Sequence, residues 1–209
     1  MWNGIDITSQ ATSGKVDVKV NTVQGGHHGI AVAHSGTDSL LITATGLVEG
    51  DTNKDAAGYG IYAVNSANGT DVTIKAVDVT AGDEGIRVVN SGKGDTTVEA
   101  KSVTSRAWDG VNVTTGALSQ AASVKVGTVS AGDDGIVVAH NGVGALTVTA
   151  TGKISADTDA QGVGSGVVTA NTATSKGGTI INVGEVAASQ VGVLVDNYGT
   201  LGTTITAGA

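Results

Sequence analysis

Acidic residues recur in this sequence directly before glycines, where they could bind a cation or act as acids and bases. They are Asp83, Glu84, Asp109, Asp133 and Asp134. If these positions stack in successive turns ~5 Å apart, their like charges repel one another. A calcium ion would relieve that repulsion because it accepts several carboxylates. We regard these residues as a weak calcium candidate, and a solvated acidic turn as the alternative, because Asp and Gly are good turn formers. No other cofactor or metal is predicted.

Paired carboxylates also perform acid–base catalysis on polysaccharides. The GDDG at 132–135 resembles a motif of the pectin-degrading enzymes that are built on parallel β-helices. The resemblance stops there, because GHHG at 26–29 precedes the acids, whereas those hydrolases place their histidine after them. The chain has only Arg87 and Arg106 to hold a uronate. The main candidates for sugar stacking are Tyr59, Tyr62 and Trp108. A calcium-assisted, polysaccharide-active enzyme is therefore the alternative, and we predict a non-catalytic protein.

Composition excludes several classes of protein. The 209 residues include 33 glycines but no proline, cysteine or phenylalanine, which excludes collagen, disulfide scaffolds and zinc–cysteine sites. With 40% hydrophobic and 14% charged residues, the chain has enough apolar surface to fold. The net charge of −8 predicts no nucleic-acid partner, and no apolar run approaches the length of a transmembrane helix.

A repeat organises the whole chain. Glycine followed by Ile or Val and an alternating strand returns eight times, at spacings of 25, 31, 25, 25, 25, 31 and 26 residues. These glycines are Gly4, Gly29, Gly60, Gly85, Gly110, Gly135, Gly166 and Gly192. Such a period predicts a solenoid, in which each repeat contacts its neighbours.

Each repeat contains three short runs of alternating apolar residues, as in GIYAVN, VTIKA and VDVT of the third repeat. Strands this short are expected to pair in parallel with the equivalent strand one repeat later. The sequence therefore predicts an all-β fold, a right-handed parallel β-helix (β-solenoid) of about eight coils with three short strands per coil. The β-branched columns would fill its narrow core. The first column is Ile5, Ile30, Ile61, Ile86, Val111, Ile136, Val167 and Val193; a third-strand column is Val23, Val48, Val79, Val103, Val129, Ile154 and Val186.

A polar column lies five residues after these glycines. Its members are His34, Asn65, Asn90, Thr115, His140, Asn171 and Asn197. Side chains of this type at one corner of a solenoid can hydrogen-bond to one another and to the backbone. We interpret the column as a structural ladder, with a ligand role for His34 or His140 as the alternative.

Two repeats carry six extra residues at the same corner. The third-strand residue precedes the next glycine by twelve positions in these repeats (Val48 to Gly60 and Ile154 to Gly166), against six or seven elsewhere. Insertions of this kind map to loops on one face of a solenoid, often its binding face. We therefore predict binding residues at the insertion tips, namely Asp51, Asn53, Lys54, Asp55, Asp157 and Asp159.

The repeats resemble the passenger region of Gram-negative autotransporters, of the pertactin-like adhesin type. The segments that carry this resemblance are GDEGIRVVNSGKGDTTVEAKSVTS and GDDGIVVAHNGVGALTVTATGKIS, and similar repeats cover nearly the whole chain. The resemblance implies a β-helix tethered to the cell surface by a C-terminal membrane β-barrel, which is not in this sequence. We accordingly expect residues 1–209 to be a single β-helix segment and a fragment of a longer passenger.

The resemblance also implies a function at the cell surface or outside the cell. The expected partners are host surface or matrix molecules, or identical passengers in self-association. A pure structural stalk that holds another domain outward is a further alternative.

Overall fold

The computed structural model describes residues 2–172 and 175–208, which are folded as a parallel β-solenoid of about eight turns. These residues include no helix, and hence no helix that could cross a membrane. The predicted all-β solenoid is therefore confirmed for the described part of the chain. Met1, Ala173, Thr174 and Ala209 of the predicted 1–209 segment lie outside the described residues.

Nineteen strands are described. In chain order they are β1 (Ile5–Thr8), β2 (Val16–Val20), β3 (Val23–Gln24), β4 (Ile30–His34), β5 (Leu40–Glu49), β6 (Ile61–Asn65), β7 (Val72–Ala81), β8 (Ile86–Asn90), β9 (Thr96–Ser105), β10 (Val111–Thr115), β11 (Ala122–Ser130), β12 (Ile136–His140), β13 (Leu146–Ala150), β14 (Ile154–Ser155), β15 (Val167–Asn171), β16 (Thr179–Val183), β17 (Val186–Ala187), β18 (Val193–Asn197) and β19 (Thr203–Ala207).

The strands form two sheets in which each strand pairs in parallel with strands of the neighbouring turns. The first sheet has eight strands in the order β1-β4-β6-β8-β10-β12-β15-β18. The second has eleven, with β2-β5-β7-β9-β11-β13-β16-β19 as its continuous path and β3, β14 and β17 beside it. We number the turns by their first-sheet strand, so that β1 opens turn one and β18 opens turn eight.

The predicted columns are in register. Ile61 pairs with Ile86, Ile86 with Val111, and Val111 with Ile136, so the residue after each repeat glycine stacks on its equivalent. In the third-strand column, Val79 pairs with Val103 and Val103 with Val129. Both columns are buried in the central turns and form one continuous core with the inward residues of the second sheet. Because the same or similar residues are register partners in neighbouring turns, each β-branched side chain packs against a neighbour of similar shape.

The repeat glycine is required by the close approach of successive turns. A Cβ at Gly85 would overlap both the Val103 side chain and the carbonyl oxygen of Gly110 in the next turn. The backbone amide of Gly85 meanwhile donates to the Asp109 carbonyl at 3.0 Å. Any side chain there would separate the turns, which explains why glycine returns at this position.

The second and third predicted runs join into one bent strand in turns two to five. In β9, Ala100 and Val103 face inward, while Lys101 and Ser102 between them do not. Two successive outward residues change the phase of the alternation and turn the chain without a separate loop. The predicted three strands per turn are thus two strands in these turns, the second of them 9 or 10 residues long.

Candidate functional site

The acidic edge is the corner that precedes the first sheet in turns three to five, and it consists of Asp83, Glu84, Asp109, Asp133 and Asp134. The Gly85 amide donates to the Asp109 carbonyl at 3.0 Å, and the Gly110 amide donates to the Asp134 carbonyl at 2.9 Å. Glu84, Asp109 and Asp134 therefore stack in successive turns, as the sequence predicted.

Asn112 joins two of these carboxylates. Its side-chain amide Nδ2 donates to Glu84 Oε1 at 2.9 Å and to Asp109 Oδ2 at 2.7 Å. Arg87 adds an ion pair to Glu84 Oε1 at 3.2 Å. Strand β10 presents Asn112 and β8 presents Arg87, and the two residues are register partners on the outward face of the first sheet. Repulsion along the column is thus relieved by side chains of the chain itself.

Burial changes the acidity of the two central carboxyls. It raises the pKa of Glu84 to about 7, with Asp109 and Asp83 adding to the rise and Arg87 opposing it. Burial likewise raises the pKa of Asp109 to about 6, against the lowering effect of the Asn112 amide. With these pKa values each carboxyl is partly protonated between about pH 6 and pH 7, which is a property that acid–base catalysis requires.

The geometry gives the calcium candidate no support. Asp134 Oδ1 is occupied by the Ser165 amide at 2.6 Å, while Asn112 occupies Glu84 and Asp109. Within residues 2–172 and 175–208, no three His, Asp or Glu side chains are grouped so that they could hold a metal ion. Asp83 and Asp133 are half-buried, and burial raises the pKa of each.

The two insertions are the same loop in turns two and six. Both have positive φ at equivalent residues: Asp51 (61°) and Asp157 (59°), then Lys54 (59°) and Ala160 (61°). The Asp51 amide donates to the His27 carbonyl, and the Asp157 amide donates to the Asp133 carbonyl, so each loop starts from the same backbone position. The prediction that both insertions lie at one corner is confirmed.

Asp51 does not lie at an exposed tip. It is fully buried, and its carboxylate accepts the amides of Asp55 at 2.8 Å and Ala56 at 3.2 Å. It also pairs with Arg106, which reaches back from turn four. The loop sequence does not indicate this burial, because Asp157 has the same left-handed backbone in the second loop and is only half-buried, and Arg106 is 55 residues away. Asp51 therefore orders the loop from within.

The other predicted contact residues are exposed at the loop tips, except for one at the base of the second loop. Asn53, Lys54, Asp55 and Asp159 are exposed. Asp157 is half-buried, and it accepts the Gly162 amide at 2.8 Å just as Asp51 accepts Ala56. The exposed tips thus carry both signs of charge in turn two and an acid in turn six.

The rings of His28, Tyr59 and Tyr62 form an aromatic cluster beside the acidic edge. The sequence did not predict that these three residues lie together. The His28 and Tyr59 rings stack with centroids 4.9 Å apart, and Tyr59 and Tyr62 stack at 5.0 Å. His28 Nδ1 accepts the Tyr59 amide at 3.0 Å, and burial lowers the pKa of His28 to about 4. A signal was present, since His28, Tyr59 and Glu84 each immediately precede a repeat glycine.

A pocket of about 230 Å³ lies between the acidic edge and the second loop and is lined by residues of both. Its lining includes Trp108, Asp133, Asp159, Gln161 and Val163, and the Trp108 side chain is exposed. The raised-pKa residues Glu84 and Asp109 do not line it. The pocket is therefore continuous with the loop tip and separate from the central carboxyl pair.

The polar column is a buried ladder. His140 Nδ1 accepts the Thr115 hydroxyl at 2.8 Å, and its Nε2–H donates to the Gly144 carbonyl at 3.1 Å. His34 makes the equivalent bonds with Ser9 and the Asp38 carbonyl. Both rings are buried and both ring nitrogens are used, so this geometry matches the structural interpretation of the column.

No family model matches the chain, and no curated protein or solved structure matches it either.

Proposed function

We propose that this solenoid is a non-catalytic adhesive module, exposed at a cell surface or outside the cell, which binds host surface or matrix molecules or associates with its own copies. The observation that carries the proposal is the pair of equivalent loops in turns two and six. Four turns at ~4.8 Å separate them by about 19 Å on one edge of a regular rod.

Two equivalent tips on a rigid support favour multivalent binding. Each tip offers only small polar contacts, which are weak individually. When two contacts are made from one support, the second occurs at high effective concentration, so modest contacts add up to useful adhesion. The resemblance of the repeats to autotransporter passengers is in line with this function.

Chain-coated fluorescent beads would test the proposal. We expect them to bind cell layers or immobilised matrix glycoproteins above the level of uncoated beads, or to aggregate with one another. Combined Lys54→Glu, Asp55→Lys and Asp159→Lys changes should reduce binding because they reverse the charges at both tips. The matched control combines Lys93→Glu, Asp78→Lys and Asp196→Lys, which alters net charge equally away from the tips. Beads that neither adhere nor aggregate would overturn the proposal; unchanged binding by the tip variant would overturn the role of the tips.

The polysaccharide-active alternative is favoured by the Glu84–Asn112–Asp109 arrangement, in which two carboxyls with raised pKa values share one amide. Incubation with a panel of acidic polysaccharides, with calcium and with chelator, distinguishes it. We expect no shortening of the polymers. Cleavage that is lost in both Glu84→Gln and Asp109→Asn would make the protein an enzyme, and its loss with chelator would show that it depends on calcium.

A further inference from the structure

A surface groove along the bend of the second sheet is lined by lysines. It encloses about 490 Å³, with Lys75, Lys101 and Lys125 at its sides and Ala76 and Ala100 among its lining residues. We call it the lysine groove. It holds three of the eleven cationic side chains of a chain whose net charge is −8.

Two of these lysines have unused charge. Lys75 pairs with Glu99 at 3.5 Å within the groove. Lys101 and Lys125 are exposed, and in the part of the chain that the structure describes neither forms an ion pair. The groove therefore presents positive charge to solvent, and small apolar side chains such as Ala76 and Ala100 also line it.

The groove and the acidic edge occupy the same three turns. Lys75 and Lys125 occupy equivalent positions two turns apart, because both pair in register with Glu99 of the turn between them. Asp83 and Asp133 are likewise two turns apart, and each lies two residues before a repeat glycine. Both pairs are therefore spaced by two steps of ~4.8 Å.

We propose that the lysine groove receives the acidic edge of a second copy of this chain, with the two solenoid axes side by side. This inference rests on the self-association part of the proposed function and names its surfaces. Because the two pairs have the same spacing, a contact of one aspartate with one lysine places the second aspartate beside the second lysine. Half-buried Asp83 and Asp133 then face Lys75 and Lys125, and Lys101 in the turn between adds positive charge to the groove.

The two surfaces differ, so the contact is heterologous and does not close on itself. A copy that receives an edge in its groove still offers its own edge to a third copy, which makes the association open-ended. An open-ended lateral array grows with concentration and is weakened by salt, because its pairs are exposed to solvent.

Sedimentation velocity of the full chain over a range of concentrations, at low and high salt, tests the contact. We expect concentration-dependent growth at low salt. Lys75→Glu with Lys125→Glu should weaken it by at least about tenfold, and so should Asp83→Lys with Asp133→Lys. The control pair Lys93→Glu with Lys176→Glu changes the charge equally outside the groove and should leave association intact.

Mixing the groove variant with the edge variant is the decisive arm. Each alone has two surfaces of like charge, but the reversed edge of one matches the reversed groove of the other, so the mixture should recover association. No recovery, or association unaffected by either pair of changes, would overturn the contact. A wild-type chain that stays monomeric would also overturn the contact. So would a chain whose groove lysines instead bind heparin, used as a polyanion probe. If beads still adhere to cells in those cases, the proposed function stands and only this interface is lost.

Discussion

Asp51 in turn two and Arg106 in turn four form an ion pair that spans the intervening turn. Gly82 of turn three lies beneath the pair, and a Cβ there would overlap the Asp51 carboxylate. The Arg106 guanidinium also donates to the Asp51 carbonyl at 3.1 Å. One arginine thus fastens the base of the first loop across three turns, whereas strand pairing joins only neighbouring turns.

Removing Asp51 should cost much more stability than removing its equivalent in the second loop. Asp51→Ala leaves two loop amides and the Arg106 guanidinium without their shared acceptor, and we expect a loss of about 3 kcal/mol. Asp157 is half-buried, so Asp157→Ala should cost about 1 kcal/mol. Chemical denaturation of both variants measures the difference. Equal losses would mean that Arg106 contributes nothing to the stability of the first loop.

The two loops also offer a reciprocal test of backbone strain. Ala56 has a φ of 63°, and Gly162 at the equivalent position has a φ of 80°. Ala56→Gly should stabilise the fold by about 0.5–1 kcal/mol, and Gly162→Ala should destabilise it by a similar amount, because alanine is strained in the left-handed region. A Cβ at Gly162 meets no atom within 4 Å, so the second change tests strain without a clash. Changes of the same sign would contradict the shared geometry.

Asp109 should make the fold less stable as the pH rises. Its folded pKa of about 6 lies above its ordinary value of 3.8, so the native state holds the proton more tightly than the unfolded chain does. The stability that this proton provides is present below 3.8 and is lost as the pH rises through about 6. Asp109→Asn should therefore gain on the order of 2 kcal/mol over the wild type near pH 8 and almost nothing near pH 4. A gain independent of pH, measured by denaturation at both values, would show that ionisation is not its cause.

His140 should make the fold less stable as the pH falls. Burial holds its pKa below the ordinary value of 6.5, so the unfolded chain takes up a proton first and stability falls as the pH drops below 6.5. His140→Asn places in turn six the residue that turns three and four already use in the ladder. We expect the loss of stability between about pH 7 and pH 5 to be smaller in the variant than in the wild type. Identical slopes would show that His140 takes up its proton within the fold.

The core could be predicted from the sequence because its signals are local. A glycine followed by a β-branched residue defines each first-sheet strand, and equal spacing defines the register, as the pairing of Ile86 with Val111 confirms. The polar ladder could be predicted in the same way, because its residues lie five positions after the repeat glycines. These features depend only on neighbouring turns, which the period relates directly.

Features that depend on direction or on distant turns could not be predicted. The burial of Asp51 involves a partner, Arg106, that is 55 residues away along the chain and two turns away in the fold. The raised pKa of Glu84 results from burial that an acidic turn motif does not reveal. The lysine groove depends on a bend inside β5, β7, β9 and β11, where separate strands were expected.

Because the turns stack in register at a period of about 25 residues, the length of the rod can change in evolution by whole turns. Loss or duplication of one whole repeat joins a turn to another with the same column residues, so recombination between repeats can shorten or lengthen the rod while its cross-section is preserved. The Asp51–Arg106 pair limits where such exchanges are tolerated, because loss of turn three would bring the partners one turn closer and loss of turn four would remove Arg106 itself. Turn five lies outside that pair, and there the array can change in size without disturbing it.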